Sequence, residues 1–278
     1  MPAARRRPAA VGGSPWGRIA SDRRHGAYPL ALAALDDLTR ALASLDSVEP
    51  GALERWGRGL RAAQPAMGTI QRLGGELTDW GARAERRIPA RRVRSWARAW
   101  KRRLGRERAL VVAGARRRWA PHMRVLTFSR SSAVEDLLRS LPVRRQPVRV
   151  TIARSTPGGE GAPLARSLRR AGLRVRLVHD RTARAALSEE DILLLGADLV
   201  YNDGSLVHKI GTRRLAREAR RRGVRTIALA GRSKFLDAPP PRRVPGRGRF
   251  DLTPARWISE YWTDRGRTPA TVRSRGTR

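Results

Sequence analysis

Residues 195–212, LGADLVYNDGSLVHKIGT, decide the fold of this chain. They overlap the end of an apolar run at 192–195, which stops abruptly at Gly196, Ala197 and Asp198. A short, continuous apolar run predicts a strand that is buried on both faces of a parallel sheet. Because open α/β sheets bind ligands at the carboxyl ends of their strands, we expect Asp198 to face a pocket. The alternative is that Asp198 only caps the turn or helix that follows.

The second part of the same stretch predicts an anion site. A turn at 202–204 leads into a predicted helix, and the candidate ligand-binding residues along this path are Asn202, His208, Lys209, Gly211 and Thr212. The start of a helix carries free N–H donors and the lysine adds a full charge, so the segment suits a phosphate. The alternative for Asp203 and Gly204 is an ordinary turn, which both residue types favour.

Arginine supplies almost all of the positive charge. The net charge is +36, yet lysine occurs only at Lys101, Lys209 and Lys234 among the 60 Lys+Arg. The arginines are spread along the whole chain, as a GC-rich coding bias produces, so the charge predicts only loose, salt-sensitive association with polyanions. Lysine is a compact point charge that a tight site can require. Its retention makes Lys209 and Lys234 candidate ligand-binding residues.

Residues 86–119 are the best candidate for a nucleic-acid surface, because Trp96, Trp100 and Trp119 alternate there with arginines. Trp96 and Trp100 are four residues apart and share one helix face. Packing of these indoles in a helical core is the favoured interpretation. Nucleic acid therefore stays a secondary partner in the prediction.

Several classes of protein are excluded by composition. The chain has no cysteine, which rules out disulfides and thiolate chemistry, and its four histidines show no metal-ligand spacing. No apolar run approaches the roughly 20 residues that cross a membrane. The basic N-terminus is not followed by a hydrophobic signal core. We therefore expect no metal, no cofactor and no membrane partner, and a cytoplasmic location.

Hydrophobic periodicity divides the chain into two domains. Residues 1–28 are rich in Arg, Pro and Gly and are predicted to be mobile. Residues 29–120 carry apolar residues at helical spacing and predict a helical bundle. Residues 121–266 alternate strands with helices and predict a mainly parallel sheet. The predicted strands are 123–128, 147–153, 173–178, 192–195 and 224–230, followed by a short helix that includes Trp257, Ile258 and Tyr261 and by a disordered tail at 267–278.

Four segments of the second domain resemble one family. Residues 195–212 are similar to its signature GAD(x)4NG(x)3NKIGT, and VLTFSRSS at 125–132 resembles its strand-to-helix loop. RSTPGGEG at 154–161 resembles the phosphate loop ESRP(x)2(E/Q)G, and residues 250–266 resemble the ending FD(V/L)TPxxxIxxxxT(D/E)xG. The chain is thereby identified as a divergent member of the family of the alpha, beta and delta-type subunits of translation initiation factor 2B. The same family holds the aldose–ketose isomerases of methylthioribose 1-phosphate and ribose 1,5-bisphosphate.

The resemblance implies a fold and a chemistry. The fold is an N-terminal helical bundle followed by a Rossmann-like α/β domain, as in ribose-5-phosphate isomerase and the coenzyme A transferases. The isomerases of the family use a cysteine and an aspartate. Asp198 stands at the position of the aspartate, but Ser129 stands at that of the cysteine. A hydroxyl is a far poorer acid and nucleophile than a thiol unless a base activates it.

Other departures point away from catalysis. Thr156 stands where the phosphate loop of the family has arginine, and Gln64 where an N-domain motif resembling TRP(T/S) has it. The nearest counterpart of an RGAP segment begins at His25, and His208 replaces the asparagine of an NK pair. Neither Thr nor Gln restores the bidentate grip of arginine on phosphate. We therefore predict an initiation factor 2B-like, non-catalytic protein that binds a phosphorylated sugar or nucleotide at the C-terminal edge of its sheet. The alternative is an active sugar 1-phosphate isomerase.

The remaining candidate ligand-binding residues have simpler alternatives. They are Ser131, Ser132, Gly159, Glu160 and Gly161. The serines start a predicted helix, where serine is as expected for capping as for anion binding. The glycines suit a tight turn, while Glu160 matches a family position that contacts substrate. As a partner, the resemblance implies a second copy or a related family subunit, contacted through the α/β domain.

Overall fold

The computed structural model describes residues 14–120, 122–141, 148–246 and 248–270. Its first part, up to residue 120, is helical, which confirms the predicted bundle. The helices are α1 (Gly17–Ser21), α2 (Ala27–Ala41), α3 (Pro50–Ala63), α4 (Gly68–Arg83) and α5 (Ala90–Arg117). Two short antiparallel strands, β1 (Ser47–Val48) and β2 (Ile88–Pro89), pair the loops that precede α3 and α5.

Close packing of α3 on α4 depends on glycine. A Cβ at Gly57 would lie 2.5 Å from the carbonyl oxygen of Gly74, so only glycine allows the two backbones to approach this far. The apolar faces of the helices meet in one core, where Leu35, Leu53 and Leu73 are fully buried. Helical periodicity in the sequence therefore corresponds to a real buried face.

The segment before α2 packs on this core instead of extending into solvent. Trp16 and Ile19 are 2% and 1% exposed, and the Trp16 indole Nε1 donates to the carbonyl oxygen of Trp56 at 2.7 Å. Burying two large apolar side chains contributes about 1.5–3 kcal/mol each, enough to offset much of the ordering cost of α1. The prediction of a mobile segment is wrong for residues 14–28, and residues 1–13 lie outside the described residues.

The tryptophans of α5 belong to the helical core. The rings of Trp96 and Trp100 lie 6.3 Å apart, edge to face, and Trp80 packs on Trp96 at 6.5 Å. Both α5 indoles donate to the Glu76 carboxylate, at 3.1 and 2.8 Å. Trp100 is buried in the helical core and Trp96 is half-buried against it, so the packing interpretation is confirmed for these two indoles.

The second part alternates strands and helices, which confirms the predicted α/β domain. Its helices are α6 (Ser132–Arg139), α7 (Gly161–Arg170), α8 (Asp180–Ala186) and α9 (Thr212–Arg221). Its strands are β3 (Arg124–Phe128), β4 (Arg149–Ala153), β5 (Arg174–Val178), β6 (Ile192–Leu195), β7 (Leu199–Val200), β8 (Leu206–Lys209), β9 (Arg225–Leu229), β10 (Phe250–Thr253), β11 (Glu260–Thr263) and β12 (Gly266–Pro269).

Seven of these strands form the central sheet, in the order β12-β11-β9-β6-β3-β4-β5. All neighbours are parallel except β11 and β12. The chain runs outward in one direction through β3, β4 and β5, and in the other through β6, β9 and β11. The loops after β3 and β6 therefore diverge and leave a crevice between them, where doubly wound sheets place their ligands.

Three strands form a small antiparallel sheet in the order β10-β8-β7. Its strands β7 and β8 lie within the stretch that the sequence pattern assigns to a turn and an anion-binding segment without a strand. The predicted helix around Tyr261 is wrong: Tyr261 lies in β11, and only residues 255–257 form one 3₁₀ turn. The predicted disordered tail is wrong for residues 267–269, which belong to β12, while residues 271–278 lie outside the described residues.

Candidate functional site

A cavity lies at the carboxyl ends of β3 and β6 and extends under the helical part. It encloses about 980 Å³, counted out to its open mouth. Its walls are the loops after β3 and β6, part of β8, the 3₁₀ turn at Arg232–Lys234, residues 23–29 and α5. Eight of the predicted site residues line it: Ser129, Ser131, Ser132, Glu160, Asp198, His208, Lys209 and Lys234.

Asp198 is held by its backbone while its carboxylate is left available to the cavity. The amide of Asp198 donates to Val207 in β8 at 3.0 Å, and its carbonyl accepts from the amide of Gly68 in α4 at 2.8 Å. The residue is 9% exposed. Within the described part of the chain the carboxylate accepts no hydrogen bond and caps no helix. An uncommitted, buried acceptor in a cavity is suited to binding a hydroxyl or accepting a proton.

Ser129 stands in a strained turn directly after β3. Its φ of 64° is in the left-handed region, and Ser155, which faces it from the loop after β4, has a φ of 65°. The Ser129 amide donates to the Ser155 hydroxyl at 2.6 Å, so one loop holds the other. Non-glycine residues in this region cost of order 1–3 kcal/mol and concentrate at functional sites. In the described residues no base contacts the Ser129 hydroxyl.

Lys209 and Glu160 form an ion pair on one wall. The Lys209 ammonium donates to Glu160 Oε1 at 2.6 Å, with the two side chains only 11% and 19% exposed. The second carboxylate oxygen of Glu160 is buried without a hydrogen-bond partner among the described residues. A buried acceptor in that state is costly, so a hydroxyl or water at this point would stabilise the pair.

His208 is fully enclosed at the back of the cavity. Its Nδ1 lies 3.1 Å from the Thr212 hydroxyl, which itself donates to the Lys209 carbonyl at 2.7 Å. Burial lowers the pKa of His208 below its usual value, an effect that the nearby Asp198 carboxylate partly opposes. The imidazole is therefore neutral at pH 7 and serves as a hydrogen-bonding group rather than as a cation.

Gly211 and Thr212 support this wall without lining the cavity. Gly211 has a φ of 103°, which an alanine would not adopt readily. Its amide and that of Arg213 donate to the Asp251 carboxylate, at 2.8 and 3.2 Å. Two of the N–H groups at the start of α9 are thus occupied by a side chain of the protein. An anion at this helix start would compete with Asp251.

Lys234 reaches the cavity from the 3₁₀ turn after β9. Its ammonium donates to the carbonyl oxygen of Ala197 at 2.6 Å, directly beside Asp198. Burial lowers the pKa of Lys234, while the charges of Asp198 and Glu107 act in the opposite direction.

A contact between the two domains fixes the turn that carries Lys234. Glu107 of α5 accepts hydrogen bonds from the Ser233 amide at 3.1 Å and from the Ser233 hydroxyl at 2.7 Å. Thr69 of α4 lies 3.2 Å from the same hydroxyl. Burial raises the pKa of Glu107. No sequence pattern singles out Glu107, because inside α5 it is one acidic residue on an otherwise regular helix.

Arginines outside the predicted set of site residues complete the cationic lining. They are Arg23, Arg24, Arg108, Arg130 and Arg249. With Lys209 and Lys234, seven cationic residues line the cavity beside Glu107, Glu160 and Asp198. Three of the seven are already paired with carboxylates: Arg108 with Asp136, Arg130 with Glu135 and Lys209 with Glu160. Burial and the neighbouring Arg23 guanidinium lower the pKa of Arg249, the effect expected where like charges crowd. The nearest signal in the sequence was the weak RGAP-like segment at His25.

Gln64 fixes the turn that carries two of these arginines, Arg23 and Arg24. Its side-chain amide donates to the carbonyl oxygens of Ile19 and Asp22, at 2.7 and 3.1 Å. The Asp22 carboxylate in turn accepts from the amides of Arg24 and His25, at 2.8 and 2.9 Å. The residue at the expected arginine position therefore fixes a turn that directs other arginines to the cavity. Gln64 itself adds no cation, so the expected loss of an arginine grip at this position stays a prediction.

Three predicted residues lie elsewhere. Asn202 borders a separate depression with Arg72 and Tyr201 on the far side of the small sheet. Gly159 and Gly161 shape the loop after β4 without lining the cavity, and a Cβ at Gly161 would lie 2.9 Å from the carbonyl carbon of Ala153 and closer still to its oxygen. In the described ranges, no three His, Cys, Asp or Glu side chains form a metal-binding group. No helix there is long and apolar enough to cross a membrane.

The model of the initiation factor 2 subunit family matches residues 24–241. The chain belongs to this family. That finding confirms the resemblance drawn from the motifs.

Ribose 1,5-bisphosphate isomerase of Archaeoglobus fulgidus is 32% identical over 111 residues, which cover 40% of this chain and 36% of that protein. The putative translation initiation factor eIF-2B subunit 2-like protein of Pyrococcus horikoshii is 31% identical over 111 residues, 40% of each chain. The aligned parts thus span about two fifths of these curated relatives.

Solved structures show that the initiation factor 2 subunit fold extends over nearly the whole chain. Translation initiation factor eIF-2B of P. horikoshii superposes with a TM-score of 0.75 at 22% identity, covering 92% of this chain and 95% of that one. A chain of the tetrameric eIF2B-beta2-delta2 complex from C. thermophilum gives 0.73 at 20% identity, covering 91% and 88%. At such identities the likeness shows the fold, and it confirms the predicted fold class.

Proposed function

We propose that this family member is an initiation factor 2B-like, non-catalytic protein that binds a phosphorylated sugar or nucleotide in the cavity. The observation that carries the proposal is the lining itself, in which four cationic residues from both domains have no carboxylate partner among the described residues. They are Arg23, Arg24, Lys234 and Arg249. Crowded cations repel one another, and an anionic ligand relieves that repulsion while adding charge-assisted hydrogen bonds. A phosphate is the anion for which such a lining is best suited, since several guanidinium groups can contact its oxygens together.

The phosphate and the rest of the ligand have separate places in the proposal. Arg23, Arg24 and Arg249 enter from the helical side and from the loop before β10, and within the described residues they have no carboxylate partner. We place the phosphate there. Asp198 and Glu160, at the ends of the strands, keep unused acceptor oxygens that suit ribose hydroxyl groups.

The absence of catalysis in this proposal rests on Ser129. Its hydroxyl contacts no base among the described residues, and the hydrogen bond of the His208 ring goes through Nδ1 to Thr212 and not to Ser129. A serine without a base does not supply the acid or nucleophile that the thiol of the isomerases supplies.

The second candidate is an isomerase, favoured by one observation: Ser129 and Asp198 line the same cavity. Turnover of ribose 1,5-bisphosphate or methylthioribose 1-phosphate by the wild-type protein would establish it.

Thermal shift measurements test the binding proposal. The panel is ribose 5-phosphate, ribose 1,5-bisphosphate, methylthioribose 1-phosphate, AMP and GMP, with unphosphorylated ribose as the control. A ligand at one hundred times its Kd stabilises the fold by about 2.7 kcal/mol. We expect at least one phosphorylated compound to raise Tm, and the rise to be lost in Arg249→Met but kept in Arg91→Met, an exposed arginine of α5 away from the cavity. No rise with any compound refutes the proposal.

Assembly, cellular location and translation are also part of the proposal. One solved relative is a tetrameric complex of eIF2B beta and delta subunits, and we propose that this chain pairs through its α/β domain with a second copy or a related subunit. Light scattering after size exclusion measures the oligomeric state, and a monomer at all concentrations contradicts the proposed pairing.

A role in translation initiation and a cytoplasmic location follow from family membership alone. Nucleic-acid binding is tested by a salt series on heparin, with weak, non-specific retention expected.

A further inference from the structure

Lys234 differs from the other two lysines of the chain. Lys101 is paired with Asp36 on the surface of the helical part, and Lys209 is paired with Glu160 at 2.6 Å. The Lys234 amine instead contacts a neutral backbone oxygen, that of Ala197, at 2.6 Å. In the part of the chain that the structure describes, Lys234 forms no ion pair. It is therefore the lysine whose amine a reactant can approach without breaking a salt bridge.

The surroundings of Lys234 suit a neutral amine. The residue lines the cavity, and its amine donates to the carbonyl oxygen of Ala197, the residue directly before Asp198. The Ser233–Glu107 hydrogen bonds hold its backbone, so the amine is positioned by both domains. Lys234 is half-buried, and burial of its amine lowers its pKa. A lysine with a lowered pKa is the usual form of an imine-forming residue, because only the unprotonated amine attacks a carbonyl.

We propose that Lys234 forms a reversible imine with the aldehyde of an open-chain aldose phosphate bound in the cavity. This inference rests on the proposed phosphate binding and narrows its ligand to sugars with a free anomeric carbon. The nitrogen lone pair of Lys234 attacks the aldehyde carbon, a C–N bond forms as the carbonyl π bond breaks, and one proton of the nitrogen moves to the oxygen to give a carbinolamine. The C–O bond then breaks, the hydroxyl leaves as water with the second proton of the nitrogen, relayed by Asp198, and a C=N bond remains. No electrons are gained or lost.

The role of Asp198 follows from its place. Asp198 directly follows Ala197, whose carbonyl oxygen accepts from the Lys234 amine. The carboxylate oxygens of Asp198 accept no hydrogen bond within the described residues. Dehydration of a carbinolamine needs a group that can give and take a proton beside the nitrogen. Asp198 is the side chain that the structure offers there.

Reductive trapping tests the imine on the full-length chain. Ribose 5-phosphate is incubated with the protein and sodium cyanoborohydride, which delivers hydride to C=N and leaves a stable secondary amine. The protein then gains the mass of the aldose less one oxygen atom, and peptide mapping locates the adduct. Only three lysines and the N-terminal amine compete. Because the Lys234 amine lies in the proposed ligand cavity and forms no ion pair among the described residues, whereas Lys101 is paired with Asp36 on the surface, we expect Lys234 to be labelled several times faster than Lys101.

Two comparisons separate this inference from simple surface chemistry. Ribose 1,5-bisphosphate has a blocked anomeric carbon and is expected to give no adduct, and inorganic phosphate is expected to suppress labelling of Lys234 but not of Lys101. Lys234→Met should lose the adduct, while Lys101→Met keeps it. Labelling of Lys234 no faster than Lys101 overturns the inference, and the wild-type peptide map decides this even if Lys234→Met folds poorly. If phosphorylated sugars raise Tm while Lys234 stays unlabelled, the binding proposal stands and the imine falls.

Discussion

Gly68→Ala is expected to destabilise the protein because α4 approaches the cavity loop without room for a side chain. Gly68 is the first residue of α4, and its amide donates to the Asp198 carbonyl. A Cβ built there would lie 2.8 Å from the carbonyl carbon of Lys234 and 2.9 Å from Leu199 Cδ1, and closer still to the Lys234 carbonyl oxygen. Two of these atoms are backbone, so a rotamer change cannot remove the clash.

The size of the effect follows from two opposing terms. Overpacking of a tight contact costs about 1–3 kcal/mol. Replacing a helical glycine by alanine where there is space stabilises by about 0.5–1 kcal/mol. Gly68 does not have a left-handed φ, so alanine suffers no additional backbone strain. We expect a net loss of about 1–2 kcal/mol in the free energy of unfolding, together with weaker ligand binding, because the Lys234 and Asp198 segments must retreat.

Gly75→Ala is the matched control in the same helix. A Cβ at Gly75 meets nothing within 4 Å, so this substitution should stabilise by about 0.5–1 kcal/mol and leave ligand binding unchanged. Urea unfolding followed by circular dichroism gives both free energies, and the thermal shift with ribose 5-phosphate gives the effect on binding. If Gly68→Ala is as stable as Gly75→Ala, the close approach of α4 to the cavity loop is refuted.

Three further perturbations test other contacts by urea unfolding. Glu107→Ala removes the acceptor of the buried Ser233 amide and hydroxyl and should lower the free energy of unfolding by about 2–4 kcal/mol. Glu135→Ala, at a less buried carboxylate, is the comparison. An equal loss in both variants would speak against the contact between the domains. Burial raises the pKa of Asp251 from 3.8 to about 6, so its contribution to the free energy of unfolding is present below pH 3.8 and is lost as the pH rises to 6. Relative to Asp251→Asn, the wild type should lose up to about 3 kcal/mol of that free energy over this range. A difference between the two proteins that does not change with pH would contradict the raised pKa. Gly161→Ala places a Cβ against the Ala153 carbonyl and should cost about 3 kcal/mol, whereas Gly159→Ala, which has open space but a φ of 69°, should cost only about 1 kcal/mol.

Local patterns were enough to predict the fold and one wall of the site. The run at 192–195 forms a buried strand, and Asp198 lies at its carboxyl end as expected, because strand burial and the direction of the chain are both encoded within a few consecutive residues. Lys209 and Lys234 were recognised by their rarity in an arginine-rich chain. The small antiparallel sheet was not predicted, since its strands have two to four residues and β8 pairs with β10 some forty positions away.

Only the tertiary structure decided how strongly cationic the site is. By itself the sequence determined the family, the order of helical bundle and parallel sheet, and the loss of the thiol at Ser129. It also suggested that phosphate anchoring is weak, because arginine is missing at Thr156 and Gln64. The folded chain brings Arg23, Arg24, Arg108 and Arg249 to the cavity from elements far apart in sequence. No local pattern can distinguish these arginines from the others, since the packing of the two domains is what selects them.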